Sequence, residues 1–441
     1  MATKSAPAPS SAGHASRPPS AADASAPAPG LWTRPFALLA VGQAVSRLGD
    51  GLFATALTWI ALRTGGPGAV AVVASATAAP LIAGSVVGAS YADRHDRRRL
   101  MIAMDVFRLA LLLGLAAALA AGRVPLPGLA VFGAAEGCAA AIFTPARLAL
   151  VPQIVPAASL LRANGILQAC FMASFWIGPL LLSPLLAVTA MPGVAAANAA
   201  TFAVSAATLA ALPPTPAAAA GTGRLGTRAD LAAGWAAVRS APGVLLVLGT
   251  FTAALLLASG FLAVGLPAWA ARAHGGPGTL GLLQGTAGVA ELAGALALSR
   301  IRLRRLAPTA VAAWGVLGGF RLFLGAARSM ATGLPLMAGT GLASAATDIP
   351  LIALLQARIP ARHLGKAMAL WQAGIAAAVT LSPPLAALVI GATGLTAGFA
   401  ISGAALAALS CLSLAALTRR RAAATRPGPD GGPRCPTSSP S

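Results

Sequence analysis

The feature that most constrains this chain is a repeating one. From about residue 36 to about residue 417 the sequence is a succession of apolar runs, each near twenty residues long, cut by short polar or Pro/Gly breaks. The hydrocarbon core of a bilayer is about 30 Å thick, so an α-helix of about 20 apolar residues spans it once. Backbone amides find no water there, which makes the helix the structure such runs adopt in lipid. Twelve segments meet that ruler, at about 36–62, 68–91, 100–121, 127–145, 164–188, 194–212, 243–269, 278–299, 308–327, 332–356, 366–391 and 395–417. Gly65-Gly66-Pro67, Pro125-Leu126-Pro127, Pro192-Gly193, Pro213-Pro214-Thr215-Pro216 and Gly275-Gly276-Pro277 fall between runs, where chain breakers belong. The stretch 151–163 reads either as a linker or as an interfacial turn.

Composition agrees with a polytopic membrane protein. Only 9% of residues are charged, against about 25% in soluble domains, and mean hydropathy is +0.79. The net charge of +21 raises the question of a nucleic-acid partner, but the basic residues are scattered and aromatics make up only 5%, so neither a phosphate-tracking face nor a stacking platform is in view. Placing the N-terminus in the cytoplasm puts 24 of the 31 Lys and Arg residues in cytoplasmic segments and only Arg63, Arg123, Arg272 and Arg328 outside. That asymmetry is the positive-inside pattern, and it predicts cytoplasmic termini in the plasma membrane. Cys138, Cys170, Cys411 and Cys435 are too far apart for a disulfide framework, and no spacing implies a metal site.

The longest internal connection divides the chain. The expected organisation is a disordered tail over 1–33, an N-terminal six-helix bundle over 34–212, a linker over 213–242, a second six-helix bundle over 243–417 and a disordered tail over 418–441. In the linker, Leu231, Trp235 and Val238 stand at helical spacing, which reads as an amphipathic helix on the inner membrane surface or simply as a connector. Arg clusters follow both the second and the eighth run, a hint that one half repeats the other. Arg419 to Arg421 suit contact with anionic lipid.

Ionisable residues inside the runs are few and therefore informative, because a charge in hydrocarbon persists only where it faces protein or water. They are Arg47 and Asp50, Asp105 and Arg108, Glu136, Glu291, Arg321 and Asp348. Arg47 and Asp50 are three residues apart, as are Asp105 and Arg108, so each pair shares a helix face. Asp50 is either a protonatable or substrate-contacting group or the structural partner of Arg47. Glu136 is either a proton carrier or a neutral hydrogen-bonding group between helices. Glu291 and Asp348 are placed to find Arg321, with Asp348–Arg358 as the alternative pair. Gly178-Pro179 bends the fifth run and Ser382-Pro383-Pro384 the eleventh. Trp59, Phe107, Phe171, Phe175, Trp176, Trp314 and Trp371 either touch an apolar ligand or pack and anchor. There is no phosphate-binding loop, no metalloprotease motif and no nucleophile elbow, so neither an ATP-driven pump nor an enzyme is expected.

The string from Gly88 to Met101, Gly-Ala-Ser-Tyr-Ala-Asp-Arg-His-Asp-Arg-Arg-Arg-Leu-Met, is the most specific in the chain. It resembles the loop motif of the major facilitator superfamily, Gly-x-x-x-Asp-Arg-x-Gly-Arg-Arg. The Asp-Arg-x-Asp-Arg-Arg-Arg form resembles its enterobactin-exporter and macrolide-efflux branch. It departs from the motif at Ala89, where the first Gly is expected, and at Asp96, where the second is expected. Gly42-Gln43, Leu48 to Phe53, Asp105 with Arg108, Phe143 to Arg147, Arg162 to Asn164, and Asn198 with Phe202 resemble further signatures of that branch, and the likeness runs over roughly 34–417. It implies an all-α fold of two pseudo-repeated six-helix bundles. It also implies a gating role for Asp93, Arg94, Arg97 and Arg98, which would clamp the halves together on the cytoplasmic side. Gly178-Pro179 only partly matches the family's antiporter motif, since Leu182 and Ser183 stand where small glycines are expected. The function expected is proton-coupled export, by a monomer without cofactor, of a hydrophobic or amphiphilic small molecule such as an antibiotic, siderophore or secondary metabolite. An uptake permease or a non-transporting scaffold or sensor is the alternative.

Overall fold

The structure is a computed structural model that describes residues 32–156, 159–213, 235–236, 238–241, 243–273, 275–301, 303 and 305–425. Residues 1–31 and 426–441 of the expected tails and most of the expected amphipathic linker lie outside these residues, while the segment from 418, expected as tail, continues the last helix to Thr425. Of the linker positions singled out, Trp235 is exposed and Val238 is buried in the core of the second half.

Every element among the described residues is helical. The helices are α1 (Arg34–Arg94), α2 (Arg97–Ala120), α3 (Leu126–Ile154), α4 (Leu160–Leu180), the short α5 (Leu182–Leu186) and α6 (Met191–Ala210). The second half holds α7 (Val244–Gly260), a π-helical turn Phe261–Gly265, α8 (Leu266–Arg272), α9 (Pro277–Ser299), α10 (Leu306–Ala326), α11 (Met330–Arg358), α12 (Ala361–Thr393) and α13 (Leu395–Thr425). Among the described residues, ten helices are long and apolar enough to cross a membrane. One of the ten, α1, is two helical arms meeting at Gly65-Gly66, where Gly66 takes φ +67° and Pro67 starts the second arm. A side chain would be strained at that φ, so glycine makes the break. The helix α4 falls outside the ten, its first turns carrying Arg162, Asn164 and Gln168.

Two expected boundaries move. The run assigned to 127–145 continues through Pro145 to Ile154, because Ala146, Leu150 and Val151 pack into a core with Phe36, Leu39 and Met101. The run assigned to 164–188 instead starts at Leu160 and breaks at Leu181, immediately after Gly178-Pro179. The departure at Asp96 also has a local cause. Its carboxylate caps α2, accepting from the amides of Arg98 at 3.0 Å and Arg99 at 3.2 Å, which a glycine could not do.

The two halves repeat the same partner order. In the first half, the leading arm of α1 crosses α4 where Gly51 meets the Ser174 carbonyl, its second arm crosses α3 where Thr77 meets Gly133, and α2 joins α6 where Arg98 Nε donates to Leu209 O at 2.8 Å. In the second half, α7 crosses α12 where Gly260 N donates to Ser382 Oγ at 2.6 Å. There α9 crosses α11 where Ala287 meets Gly341, and α10 joins α13 where Ser410 Oγ donates to Val311 O at 2.9 Å.

Among the described residues, the contacts between the halves gather toward one end of this arrangement. Gly281 of α9 lies on the Pro179 carbonyl, Gly278 on Ser183 and Gly288 on Trp176, while Ser75 Oγ of α1 donates to Thr380 O of α12 at 3.0 Å. At that end the buried apolar side chains form one cluster shared by both halves, including Phe53, Phe132, Leu182, Trp269, Leu280 and Leu283. At the end carrying the Asp96 and Arg300 loops there are two separate clusters, one per half, around Phe36, Met101 and Leu150 and around Phe251, Trp314 and Trp371. One shared core at one end and two separate cores at the other describe a wedge closed away from the Arg-rich loops.

Candidate functional site

Five of the eight intramembrane ionisable residues come together, all in the first half. Arg108, halfway along α2, sets its Nη2 3.0 Å from Glu136 Oε1 of α3, and its Nη1 lies 3.9 Å from Asp50 Oδ2 of α1. Arg47 Nη1 lies 3.7 Å from the same Asp50 oxygen. Only the Arg108–Glu136 contact has the length of a charge-assisted hydrogen bond; the other two hold by charge at longer range. Aromatic faces supply the rest of the setting. The Arg108 guanidinium stands 5.0 Å from the centroid of Phe202 and 6.0 Å from that of Phe143, and the Arg47 guanidinium stands 5.4 Å from that of Phe171. Removing charges from water costs several kcal/mol each unless they are closely paired, and here two arginines and three acids share one nest.

The cluster borders a cavity of about 210 Å³. Asp50, Arg108, Glu136 and Asn198 give it a polar side, while Phe53, Leu57, Leu112 and Phe132 give it apolar walls. Glu136 Oε2 has no hydrogen-bond partner among the described residues. One arginine is therefore claimed by two carboxylates beside a mostly apolar chamber, an arrangement in which adding or removing one proton redistributes the pairing.

The expectation for the second half needs correction. Arg321 meets neither Glu291 nor Asp348. It is 1% exposed, and its Nη1 donates to Ala258 O at 2.6 Å and lies 3.4 Å from Ser402 Oγ. Glu291 instead accepts from Ser344 Oγ at 3.2 Å and Asp348 from Thr347 Oγ1 at 2.7 Å, and among the described residues Asp348 forms no ion pair with Arg358. The reason lies in α7, whose π turn leaves carbonyls without their regular partners, and Arg321 serves one of them.

Two members of the expected clamp have contacts among the described residues. Arg98 bonds the carbonyls of Leu209 and Ala210 at the end of α6, and Arg97 bonds Ala149 O of α3 at 3.0 Å, all within the first half. The side chains of Asp93 and Arg94 lie outside those the structure describes. Of the seven aromatics singled out, none lines the cavity. Trp314 and Trp371 stack edge-on against Phe251 in the core, Phe107 and Phe175 are exposed, and Trp59 lines a separate recess with Arg63 and Pro277.

Sequence reasoning passed over a side-chain hydrogen bond that joins the halves, Thr55 Oγ1 donating to Gln284 Oε1 at 2.7 Å. An uncharged amide in the middle of an apolar run was the available signal. Asn198, noted only as a family signature, turns out to line the cavity.

A helical membrane protein of two repeated halves, with a charged nest beside an apolar chamber in the first, is built as a carrier. The chain belongs to the Major Facilitator Superfamily, whose sequence profile matches residues 39–338. Solved structures agree on the fold. A bacterial homolog of the human lysosomal transporter Spinster, inward-facing and unoccupied, superposes with TM-score 0.67 at 11% identity over 88% of this chain and 97% of that one. The nucleoside transporter NupG gives 0.66 at 12% over 88% and 100%, and an inward-facing bacterial homologue of the iron transporter ferroportin gives 0.65 at 17% over 88% and 98%. No curated protein matches the sequence. The fold is that of secondary transporters, and it points away from an enzyme.

Proposed function

We propose that the protein is a twelve-span, proton-coupled exporter of hydrophobic or amphiphilic small molecules, similar to the enterobactin-exporter and macrolide-efflux branch. It sits in the plasma membrane with both termini in the cytoplasm and acts as a monomer without cofactor. The observation that carries this reading is Arg108, held between Glu136 and Asp50 at the wall of an apolar cavity. A proton on Glu136 removes the charge that holds Arg108 and frees the guanidinium to swing to Asp50. Substrate in the chamber and proton on the carboxylate then compete through one shared cation, which is the coupling that antiport requires. The wedge is one of the two end states that such a cycle needs. With the Arg-rich loops on the cytoplasmic side, the halves are apart where cytoplasmic substrate would enter and together on the outer side. Alternating access then proceeds by rocking one half against the other.

The test is efflux of a lipophilic fluorescent dye from cells expressing the protein. Collapse of the proton gradient stops efflux, and Glu136→Gln leaves the protein in the membrane but uncouples it. Efflux that continues after an uncoupler overturns the reading. Dye accumulation in right-side-out vesicles under an inward proton gradient identifies an uptake permease instead.

A further inference from the structure

Two helix faces that line the chamber continue past it toward the Arg-rich loops. On α1, Leu57, Ala54 and Asp50 line the chamber, and Arg47 and Gln43 extend that row at helical spacing. On α3, Phe132, Glu136 and Ala140 line it, and Phe143 and Arg147 extend the row in the same direction. Arg147 lies about three turns from Glu136, so the two share a face. Two residues beyond it, Ala149 O accepts from Arg97, which puts Arg147 at the end that carries the Asp96 loop.

Arg147 lacks what its neighbouring arginines have. Arg108 and Arg47 have carboxylates, and Arg97 and Arg98 have carbonyls. Arg147 is half-buried, its Nε has no acceptor, and no carboxylate pairs with it among the described residues. The charge that acts on it is another cation, Arg47. On the facing row, Gln43 is 3% exposed and its amide nitrogen also lacks an acceptor. Phe171 stands 5.4 Å from the Arg47 guanidinium and meets Phe175 edge-on, adding apolar surface to this entrance.

A guanidinium stays charged throughout the physiological pH range, so it cannot escape burial as a carboxylate does by taking up a proton. The unmet groups on both rows are donors, and buried donors without an acceptor call for a guest that supplies one. We infer that Arg147, with Arg47 and Gln43, forms an entry station for an oxyanion at the cytoplasmic end of the chamber. The cargo is then an amphiphile with an acid group, a carboxylate, sulfonate or phosphate, whose apolar body points into the chamber. The inference rests on the reading of the protein as an exporter and narrows the class of molecule it carries.

The experiment measures binding to the full-length protein in phosphatidylcholine nanodiscs. Two fluorescent probes share one aromatic body, the anionic anilinonaphthalene sulfonate and the neutral phenylnaphthylamine. The wild type binds the sulfonate more tightly. Arg147→Gln weakens the sulfonate roughly ten-fold, as expected for one lost hydrogen bond to a charged group. It leaves the neutral probe unchanged, which also reports an intact chamber. Arg147→Lys keeps the charge and recovers part of the sulfonate affinity. Equal affinity of the wild type for the two probes overturns the inference without recourse to any variant. So does an Arg147→Gln protein that keeps the wild-type preference or loses both probes equally. Sulfonate binding abolished when phosphatidylglycerol replaces part of the phosphatidylcholine gives the station to a lipid headgroup, and overturns the assignment to cargo. Failure of the exporter reading is seen separately, as dye efflux that ignores both the uncoupler and Glu136→Gln.

Discussion

Thr55 of α1 donates its hydroxyl to Gln284 of α9 across 2.7 Å, joining the two halves of the molecule by a polar contact inside the apolar layer. Thr55 is 2% exposed and Gln284 is half-buried. The pair lies beside the glycines Gly281 and Gly285, which let α9 come close to α4. Rocking of the halves has to break this contact, because its partners belong to different halves.

Gln284→Ala is therefore expected to favour the opposite opening. A net hydrogen bond contributes about 1 kcal/mol, which moves a two-state equilibrium roughly five-fold. Double electron–electron resonance between spin labels placed near Arg123 and Arg328, loops expected on the outer face, reads the change as a larger population of long distances. Distances identical to the wild type would show that the contact does not oppose opening.

Charge pairing in the nest gives a second prediction. Truncating one partner of a buried pair leaves the other uncompensated and costs about 3–5 kcal/mol, whereas removing both is often near neutral. Arg108→Gln is expected to lower the Tm of the detergent-solubilised protein more than the double variant Arg108→Gln with Glu136→Gln. Additive losses from the two single changes would mean that the 3.0 Å contact does not couple them.

Much of this fold is legible in the sequence because its rules are one-dimensional. Run length identifies helices, Gly65-Gly66-Pro67 identifies the break in α1, and the three-residue spacings of Arg47 with Asp50 and of Asp105 with Arg108 place each pair on one face. Which helices face one another is not written in any run. Glu136 has no charged neighbour in sequence, yet it meets Arg108 because α3 packs beside α2. Arg321 misled for the complementary reason. An arginine in hydrocarbon suggests an acid, but backbone carbonyls freed by a π turn are equally good acceptors, and a π turn has no clear sequence signature. Pro145 illustrates the limit of breakers: it stands where the run was expected to end, and the packing of Ala146, Leu150 and Val151 still carries α3 through it.

Close approach of the halves depends on small residues, and this supplies a third prediction. A Cβ at Gly281 would run into the Pro179 carbonyl, while a Cβ at Gly249 would meet nothing within 4 Å. Overpacking of this kind costs about 1–3 kcal/mol. Gly281→Ala is expected to reduce dye efflux several-fold at normal membrane levels, with Gly249→Ala behaving as wild type. Equal efflux by the two variants would mean that α4 and α9 do not need contact at this point during the cycle.

The last prediction concerns Ser382, which enters the hydrogen-bond ladder of a neighbouring helix. In a regular α-helix the Gly260 amide donates to the Leu256 carbonyl. Here the Ser382 hydroxyl stands between them, accepting from Gly260 N at 2.6 Å and donating to Leu256 O at 2.5 Å. The next two carbonyls are also served from outside, Leu257 O by Ser402 Oγ at 2.8 Å and Ala258 O by Arg321 Nη1 at 2.6 Å. Three helices thus bond α7 at one place, directly before its π turn, where side chains share in its backbone ladder. Ser382→Ala removes both bonds and is expected to speed amide hydrogen exchange at Gly260 and through the π turn, with Ser382→Thr restoring protection because it keeps the hydroxyl. Arg321→Met should raise exchange in the same segment while leaving the ends of α7 unchanged. Exchange at Gly260 that is the same in Ser382→Ala as in the wild type would mean that the ladder is held without the hydroxyl, by Ser402 and Arg321 alone.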